Sequence, residues 1–221
     1  MALAVEKIQA ILFDIDGTLS DTDDRMVQQV CNILSPFFRH TDRKKAIARW
    51  MVMTAESPGN LIFNLADRIS LDGFLIRHMR RISKNKHHKL KQYWLIGGVK
   101  DMLDALAHYP LGIVSARDAG TAQAFLDQCS LNHYFEVVVT SQTCEFTKPF
   151  PDPLLYAARK LNIPPEMCLM VGDTTVDIKA AKSAGMQAVG VLCGFGREKE
   201  LRRAGADLIL PSTADLQGLF G

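Results

Sequence analysis

The sequence predicts an α/β fold, a doubly wound, Rossmann-like parallel sheet with a small inserted helical cap domain, and three observations predict it. Ile8 to Phe13 is a short apolar run of β-branched and aromatic residues, the pattern of a strand buried on both faces. From Leu95 onward, short apolar runs alternate with segments of helical period, as a doubly wound sheet requires. Between them, residues 21–92 show helical spacing and no convincing strand, whereas a parallel-sheet unit normally returns to its sheet after one helix. That stretch reads as a helical domain set on the loop after the first strand, leaving 1–20 and 93–221 as the α/β core.

The opening strand runs into Asp14-Ile15-Asp16-Gly17-Thr18. Side chains two apart on an extended chain point the same way, so Asp14 and Asp16 would face the crevice beyond the strand while Ile15 turns inward. Two acids on one face repel unless a cation neutralises them or one holds a proton, which are the states a metal-assisted acid/base site uses. Gly17 lets the chain turn sharply away and leave both uncovered. The plainer alternative is a loop whose acids cap backbone amides.

In the insertion, Met26, Val27, Val30, Ile33, Leu34, Phe37 and Phe38 recur at helical spacing, with Pro36 kinking or ending the helix. Helical stretches follow at 42–54, 60–69 and 71–91. Arg80 to Lys91 carries six Lys or Arg, two His and no acid; without interleaved aromatics it reads as a solvated helix face rather than a nucleic-acid surface. Glu56-Ser57-Pro58-Gly59-Asn60 is a turn-rich loop, and Arg77, Arg80 and Arg81 are candidates for a second anionic group on a substrate.

Gly97-Gly98 forms the return hinge, followed by a helix with Val99, Met102, Leu103 and Leu106 inward. A strand from Leu111 to Val114 ends at Ser115, and a helix follows with Ala122, Phe125, Leu126 and Cys129 inward. Phe135 to Val139 is the next strand, and its loop carries Lys148-Pro149. Asp152-Pro153 opens a helix with a cap residue and a first-turn proline. Cys168 to Val171 is a strand leading to Gly172-Asp173, and the helix after it ends at Gly185, the residue type expected just past a helix end. Strands at Ala188 to Leu192 and Asp207 to Leu210, with a helix at Glu198 to Ala204 between them, complete the series.

The 221 residues, 48% hydrophobic and 23% charged, fit one globular domain with a small insertion. A net charge of +2 gives no field arguing for nucleic acid. Five widely spaced cysteines, none in a C-x-x-C pair, read as buried thiols of a reducing compartment. No segment approaches the ~18 apolar residues a membrane span needs, and the N-terminus lacks a signal-peptide pattern. A cytoplasmic protein without membrane or nucleic-acid partners is the default; oligomeric state is not legible, and a monomer is one open alternative.

Asp14, Ser115, Lys148 and Asp173 each fall at the carboxyl end of an expected strand or in the loop it feeds, the edge where open parallel sheets bind ligands. The acids suit Mg²⁺, a hard cation, while Ser115 can donate to an anion and Lys148 can offset its charge. With DIDGT at 14–18, Ser115 after a strand, Lys148-Pro149, and Gly172-Asp173 with Asp177, the chain resembles the haloacid dehalogenase-like hydrolases. Within them it is similar to the small-metabolite phosphatases that include phosphoglycolate phosphatase and β-phosphoglucomutase.

The resemblance implies a Mg²⁺-dependent phosphatase acting on a small phosphorylated substrate. Asp14 would be the nucleophile and Asp16 the acid and base, with Ser115, Ala116 and Lys148 binding the phosphoryl group. Mg²⁺ would be held by Asp14, Asp173 and the main-chain carbonyl of Asp16, with Asp177 and Thr18 in support. Asp16 favours phosphate esters, since dehalogenase and phosphonate-cleaving relatives carry an aromatic or a small residue at that position. Ala116-Arg117 departs from the Asn and following polar residue common after the hydroxyl; Arg117 either contacts substrate or forms a salt bridge. The structural alternatives are that Ser115 caps the next helix and that Asp177 serves the helix dipole. A phosphomutase on the same machinery, or a non-catalytic phospholigand-binding protein of the same fold, are the competing functions.

Overall fold

The computed structural model describes residues 3–21 and 93–220. The helices expected within 26–91, the 56–60 loop and the basic run at 80–91 lie outside the described residues. Six strands form one parallel sheet: β1 (Ala10–Phe13), β2 (Leu111–Val114), β3 (Phe135–Val139), β4 (Cys168–Gly172), β5 (Gln187–Val191) and β6 (Leu208–Leu210). The helices between them are α1 (Val99–Ala105), α2 (Ala119–Cys129), α3 (Asp152–Leu161), α4 (Thr175–Ser183) and α5 (Glu198–Ala204).

The spatial order is β3-β2-β1-β4-β5-β6, so the winding reverses between β1 and β4. Ligands of such sheets lie outside the carboxyl ends of the strands at that reversal. Pairing of Phe13 with Ile113 on one side and Val171 on the other brings those ends level.

Period-two alternation divides the core. Ile11 and Phe13 pack with Val99, Leu103, Phe125 and Leu216 on the face covered by α1 and α2, and Phe13 meets Phe135 edge to face at 6.3 Å. Ala10 and Leu12 pack with Leu154, Ala157, Ile178 and Leu201 beneath α3, α4 and α5. All four side chains of β1 are fully buried, as expected for a central strand of a two-sided parallel sheet.

Several expected boundaries shift. β1 begins at Ala10 rather than Ile8, because the ladder to β4 begins there with Ala10 paired with Cys168, while β5 runs Gln187–Val191 rather than Ala188 to Leu192 and β6 begins at Leu208 rather than Asp207. Asp152 is the first residue of α3 rather than its cap; Pro151 holds that place, and Asp152 sits in the first turn, where a negative charge favours the helix dipole.

The chain leaves and re-enters the core side by side. Asp21 N donates to Trp94 O at 2.8 Å and Ile96 N to Leu19 O at 3.0 Å, with Ser20 and Leu95 bridged antiparallel. Gly98 then starts α1 at φ 79°, and a Cβ there would stand 2.9 Å from that of Ala214. The return hinge needs a glycine for both reasons.

Leu12, fully buried between β1 and α3, sets the expected cost of disturbing this core. Leu12→Ala should lower unfolding free energy by about 2–5 kcal/mol in urea titrations at unchanged m-value.

Candidate active site

Asp14 follows β1, Ser115 follows β2 and Asp173 follows β4, three neighbouring strands. The ladder continues one residue past β1 and β2, with Asp14 N donating to Val171 O at 3.0 Å and Ser115 N to Val139 O at 2.9 Å. Both side chains are therefore set by sheet geometry rather than by a free loop. Lys148 arrives from the loop after β3, and Asp177 from the first turn of α4.

Lys148 is the hub. Its Nζ donates to Asp14 Oδ1 at 2.7 Å and to Asp177 Oδ1 at 2.6 Å, with all three residues buried. Asp177 Oδ2 accepts from Thr174 N at 3.1 Å and Thr174 Oγ1 at 2.6 Å, while Thr174 Oγ1 accepts from Asp177 N, a reciprocal capping box. Asp177 thus caps its helix with one oxygen and orients Lys148 with the other. Burial works against the charged ammonium, yet Asp14 and Asp177 together hold it above its ordinary pKa. Burial also pushes the Asp14 carboxyl up to about 7; Lys148 opposes that rise while Asp177 and Asp16 add to it.

Asp173 has no exposed surface. Its Oδ2 accepts from Phe195 N at 2.7 Å and its Oδ1 from Thr18 Oγ1 at 3.4 Å. Thr18 is in turn fixed through its carbonyl, which accepts from Thr213 Oγ1 at 2.6 Å. A Cβ on Gly17 would fall 2.4 Å from Asp173 Oδ2, and one on Gly194 2.2 Å from it. Two glycines therefore make the space this carboxylate occupies. Gly194 and Phe195 escaped the sequence reading; Gly194-Phe195-Gly196 just past β5 was the available signal, since glycines at the carboxyl edge mark close backbone approach.

Asp16 pairs with Arg117. Arg117 Nε donates to its Oδ2 at 2.8 Å and Nη2 to its Oδ1 at 2.5 Å, a two-bond fork. Asp14 and Asp16 are each paired with a cation of their own, Lys148 and Arg117, while Ile15 between them is fully buried, as the alternation along an extended chain predicts. The salt-bridge alternative for Arg117 is the one observed.

Ser115 is buried, and its Oγ accepts from Arg117 N at 3.2 Å. It does not cap α2: Asp118 does, accepting from Thr121 N at 3.0 Å. Ala116 is exposed beside it.

Carboxylate oxygens of Asp14, Asp173 and Asp177 lie within 4.8 Å of one another. Asp177 joins this group while the Asp16 side chain is committed to Arg117. Among the described residues, the four carboxylates of Asp14, Asp16, Asp173 and Asp177 face the cations Lys148 and Arg117, an excess of two negative charges at a largely buried edge. A hard, divalent, oxygen-seeking ion fits that charge and that donor set.

Residues 11–191 match the family model described as haloacid dehalogenase-like hydrolase. The pyrophosphatase PpaX of Anoxybacillus flavithermus is 28% identical over 97% of both chains. Phosphoglycolate phosphatase of Shigella boydii is 27% identical over 98% of this chain and 94% of its own. Among solved structures, a family hydrolase from Deinococcus radiodurans with bound phosphate and sodium superposes at a TM-score of 0.71 with 26% identity, covering 96% of this chain and 97% of that one. A β-phosphoglucomutase-like protein from Thermotoga maritima, at TM-score 0.68 and 23% identity over 96% of this chain and 98% of that one, shares the fold.

A pH dependence follows from Asp14. The folded protein keeps this proton to about 7 while the unfolded carboxyl releases it near 3.8, so the stabilising contribution is present below the lower value and lost as pH rises through the upper one. Lys148, raised rather than lowered, retains its contribution across that window. In chelator-treated protein, the melting temperature should fall by roughly 5 °C or more between about pH 5 and about pH 9. Asp14→Asn should lack that fall, and an added divalent cation should reverse it in the wild type. Gly194→Ala should weaken stabilisation by the divalent cation in the same melts by about tenfold in apparent affinity, by displacing the Asp173 carboxylate.

Proposed function

The chain belongs to the haloacid dehalogenase-like hydrolases, and from that premise we propose that it is a Mg²⁺-dependent phosphatase of a small phosphorylated metabolite. The observation that carries the reading is the buried Asp14 carboxylate, held by an ammonium it shares with Asp177 and lying within 4.8 Å of Asp173 oxygen at the carboxyl edge. The names of the relatives agree, one a pyrophosphatase and another a phosphoglycolate phosphatase.

In this reading an Asp14 oxygen attacks phosphorus as the bond to the leaving oxygen breaks, giving an aspartyl phosphate. A proton passes from Asp16 to the leaving oxygen, and Asp16 then takes a proton from the water that attacks the same phosphorus and frees Asp14. Lys148 keeps Asp14 in line and offsets charge on the phosphoryl oxygens, Asp177 holds Lys148, and Ser115 with the Ala116 backbone receives those oxygens. The Asp14 and Asp173 carboxylates and the main-chain carbonyl of Asp16 would hold Mg²⁺, which supplies charge neutralisation to the transferring group.

Residues 21–92 are proposed as the helical cap that covers the site and reads the substrate, with 1–20 and 93–221 as the α/β core. The paired linkers at 19–21 and 94–96 support a boundary there. A cytoplasmic setting is supported by the free thiols of Cys129, Cys144, Cys168 and Cys193, and no described helix is long and apolar enough to cross a membrane.

Phosphate release from a panel of phosphorylated metabolites tests the proposal. Release should require Mg²⁺ and fall at least about 1,000-fold in Asp14→Asn with circular dichroism unchanged. Retained turnover in that variant would sink it. Transfer between two positions of a sugar phosphate, with little free phosphate, would instead identify a mutase.

A further inference from the structure

Arg117 is a partly buried cation outside the set that the resemblance assigned a role, and its surroundings are specific. Its side chain is 10% exposed and that of Asp16 17%. The guanidinium lies 4.9 Å from the ring centroid of Tyr93 and 5.2 Å from that of Phe125, and those two rings meet edge to face at 5.8 Å. Its main chain is held as well: Arg117 N donates to Ser115 Oγ, and Arg117 O accepts from Ser141 N at 2.9 Å. A planar cation with packed faces and a fixed backbone has little freedom to follow its partner, so the partner follows it.

We propose that Arg117 is the positioning residue for Asp16, fixing the plane and direction of the carboxylate that exchanges a proton with the leaving oxygen. The fork takes one lone pair on each oxygen, and a carboxylate offers about four such sites, so a proton can still reside on either oxygen while the pair persists. Position matters most here because proton transfer requires hydrogen-bond reach to one particular oxygen. Arg117 also ties together two parts of the site, since the residue that aims Asp16 donates its main-chain N–H to Ser115. The role rests on the phosphatase reading. Its reaction is the one already balanced: the Asp14–phosphorus bond forms, the bond to the leaving oxygen breaks, and the proton moves from Asp16 to that oxygen.

Leaving-group dependence separates this role from a structural one. For each ester, kcat/KM reports the steps up to departure of the leaving group. An alkyl phosphate needs its leaving oxygen protonated, whereas a dinitrophenyl phosphate does not. Arg117→Met should lower kcat/KM about 30-fold or more for the alkyl ester and under about threefold for the aryl ester, a selective loss in the range general acid catalysis supplies. Arg117→Lys keeps the charge but not the fork and should fall between the two, with melting temperature and circular dichroism close to wild type. In an Asp16→Asn background, Arg117→Met should add no further selective loss, because both changes remove one function.

Equal losses on both esters would overturn the inference in favour of a merely structural arginine. A gain on the alkyl ester would overturn it in favour of a latch that restrains Asp16. Losses that follow a second anionic group on the substrate, as between phosphoglycolate and ethyl phosphate, would make Arg117 a substrate contact instead. Asp14-dependent turnover of the wild type with any of these outcomes leaves the phosphatase reading standing; no wild-type turnover of any ester would overturn both.

Discussion

The site depends on one ammonium shared between two buried carboxylates. Lys148 reaches Asp14 and Asp177 with short bonds, and each of the three is almost removed from water. Stripping solvent from such ions is costly, and the cost is met only where geometry is tight and remaining lone pairs are used. The chain meets that condition by recruiting a helix start. Asp177 belongs to the capping box of α4, so its second oxygen is already engaged and its position is set by the helix that β4 delivers. Moving α4 would move Lys148, and moving Lys148 would release Asp14. The sheet order matters for the same reason, because β1 and β4 must be neighbours for Asp14 and Asp177 to share one cation.

Backbone approach is the second constraint. Asp173 accepts a main-chain N–H from Phe195 and sits where a side chain on Gly17 or Gly194 would otherwise stand. Three loops, after β1, β4 and β5, therefore close around a single carboxylate. A residue larger than glycine in either place would push out the group or open the loops, and opened loops would let water in beside Asp14. A dry pocket is what gives a fixed charge its strength here.

Much of this was legible in the chain. The strands could be found because a two-sided parallel sheet demands uninterrupted apolar runs, and Leu111–Val114 and Phe135–Val139 coincide with expectation. Asp14, Ser115, Lys148 and Asp173 were identified by falling at strand ends, a positional rule that survives folding because strand direction fixes which edge they reach. Partnerships were harder. Whether Ser115 would cap α2 depended on where α2 begins, and Asp118, three residues on, has the better geometry for the cap. The Asp16 partner could not be read because Arg117 is 101 residues away in sequence, on the loop after a different strand. Gly194 and Phe195 were missed because their function is to bring backbone close to Asp173, a contact between segments that local pattern does not encode.

Four aspartates at one sheet edge could have been interchangeable, and their surroundings separate them. Asp14 is desolvated and shares an ammonium, which leaves it poised between charge states and facing the cluster. Asp173 accepts from a main-chain amide and a hydroxyl, and its carboxylate stands within the cluster it forms with Asp14 and Asp177. Asp177 spends both oxygens on holding others in place. Asp16, the most exposed of the four, is oriented by a rigid arginine rather than by the lysine that serves Asp14. In the proposed mechanism, one residue type would thus be divided into an anion for attack, an anion for metal, a support and a proton carrier, by burial and partner. Lys148 and Arg117 come from separate loops, so the two carboxylates that the proposed two-step displacement would use are positioned by different cations, and what still links them is the charge of Asp16, which adds to the rise of the Asp14 carboxyl.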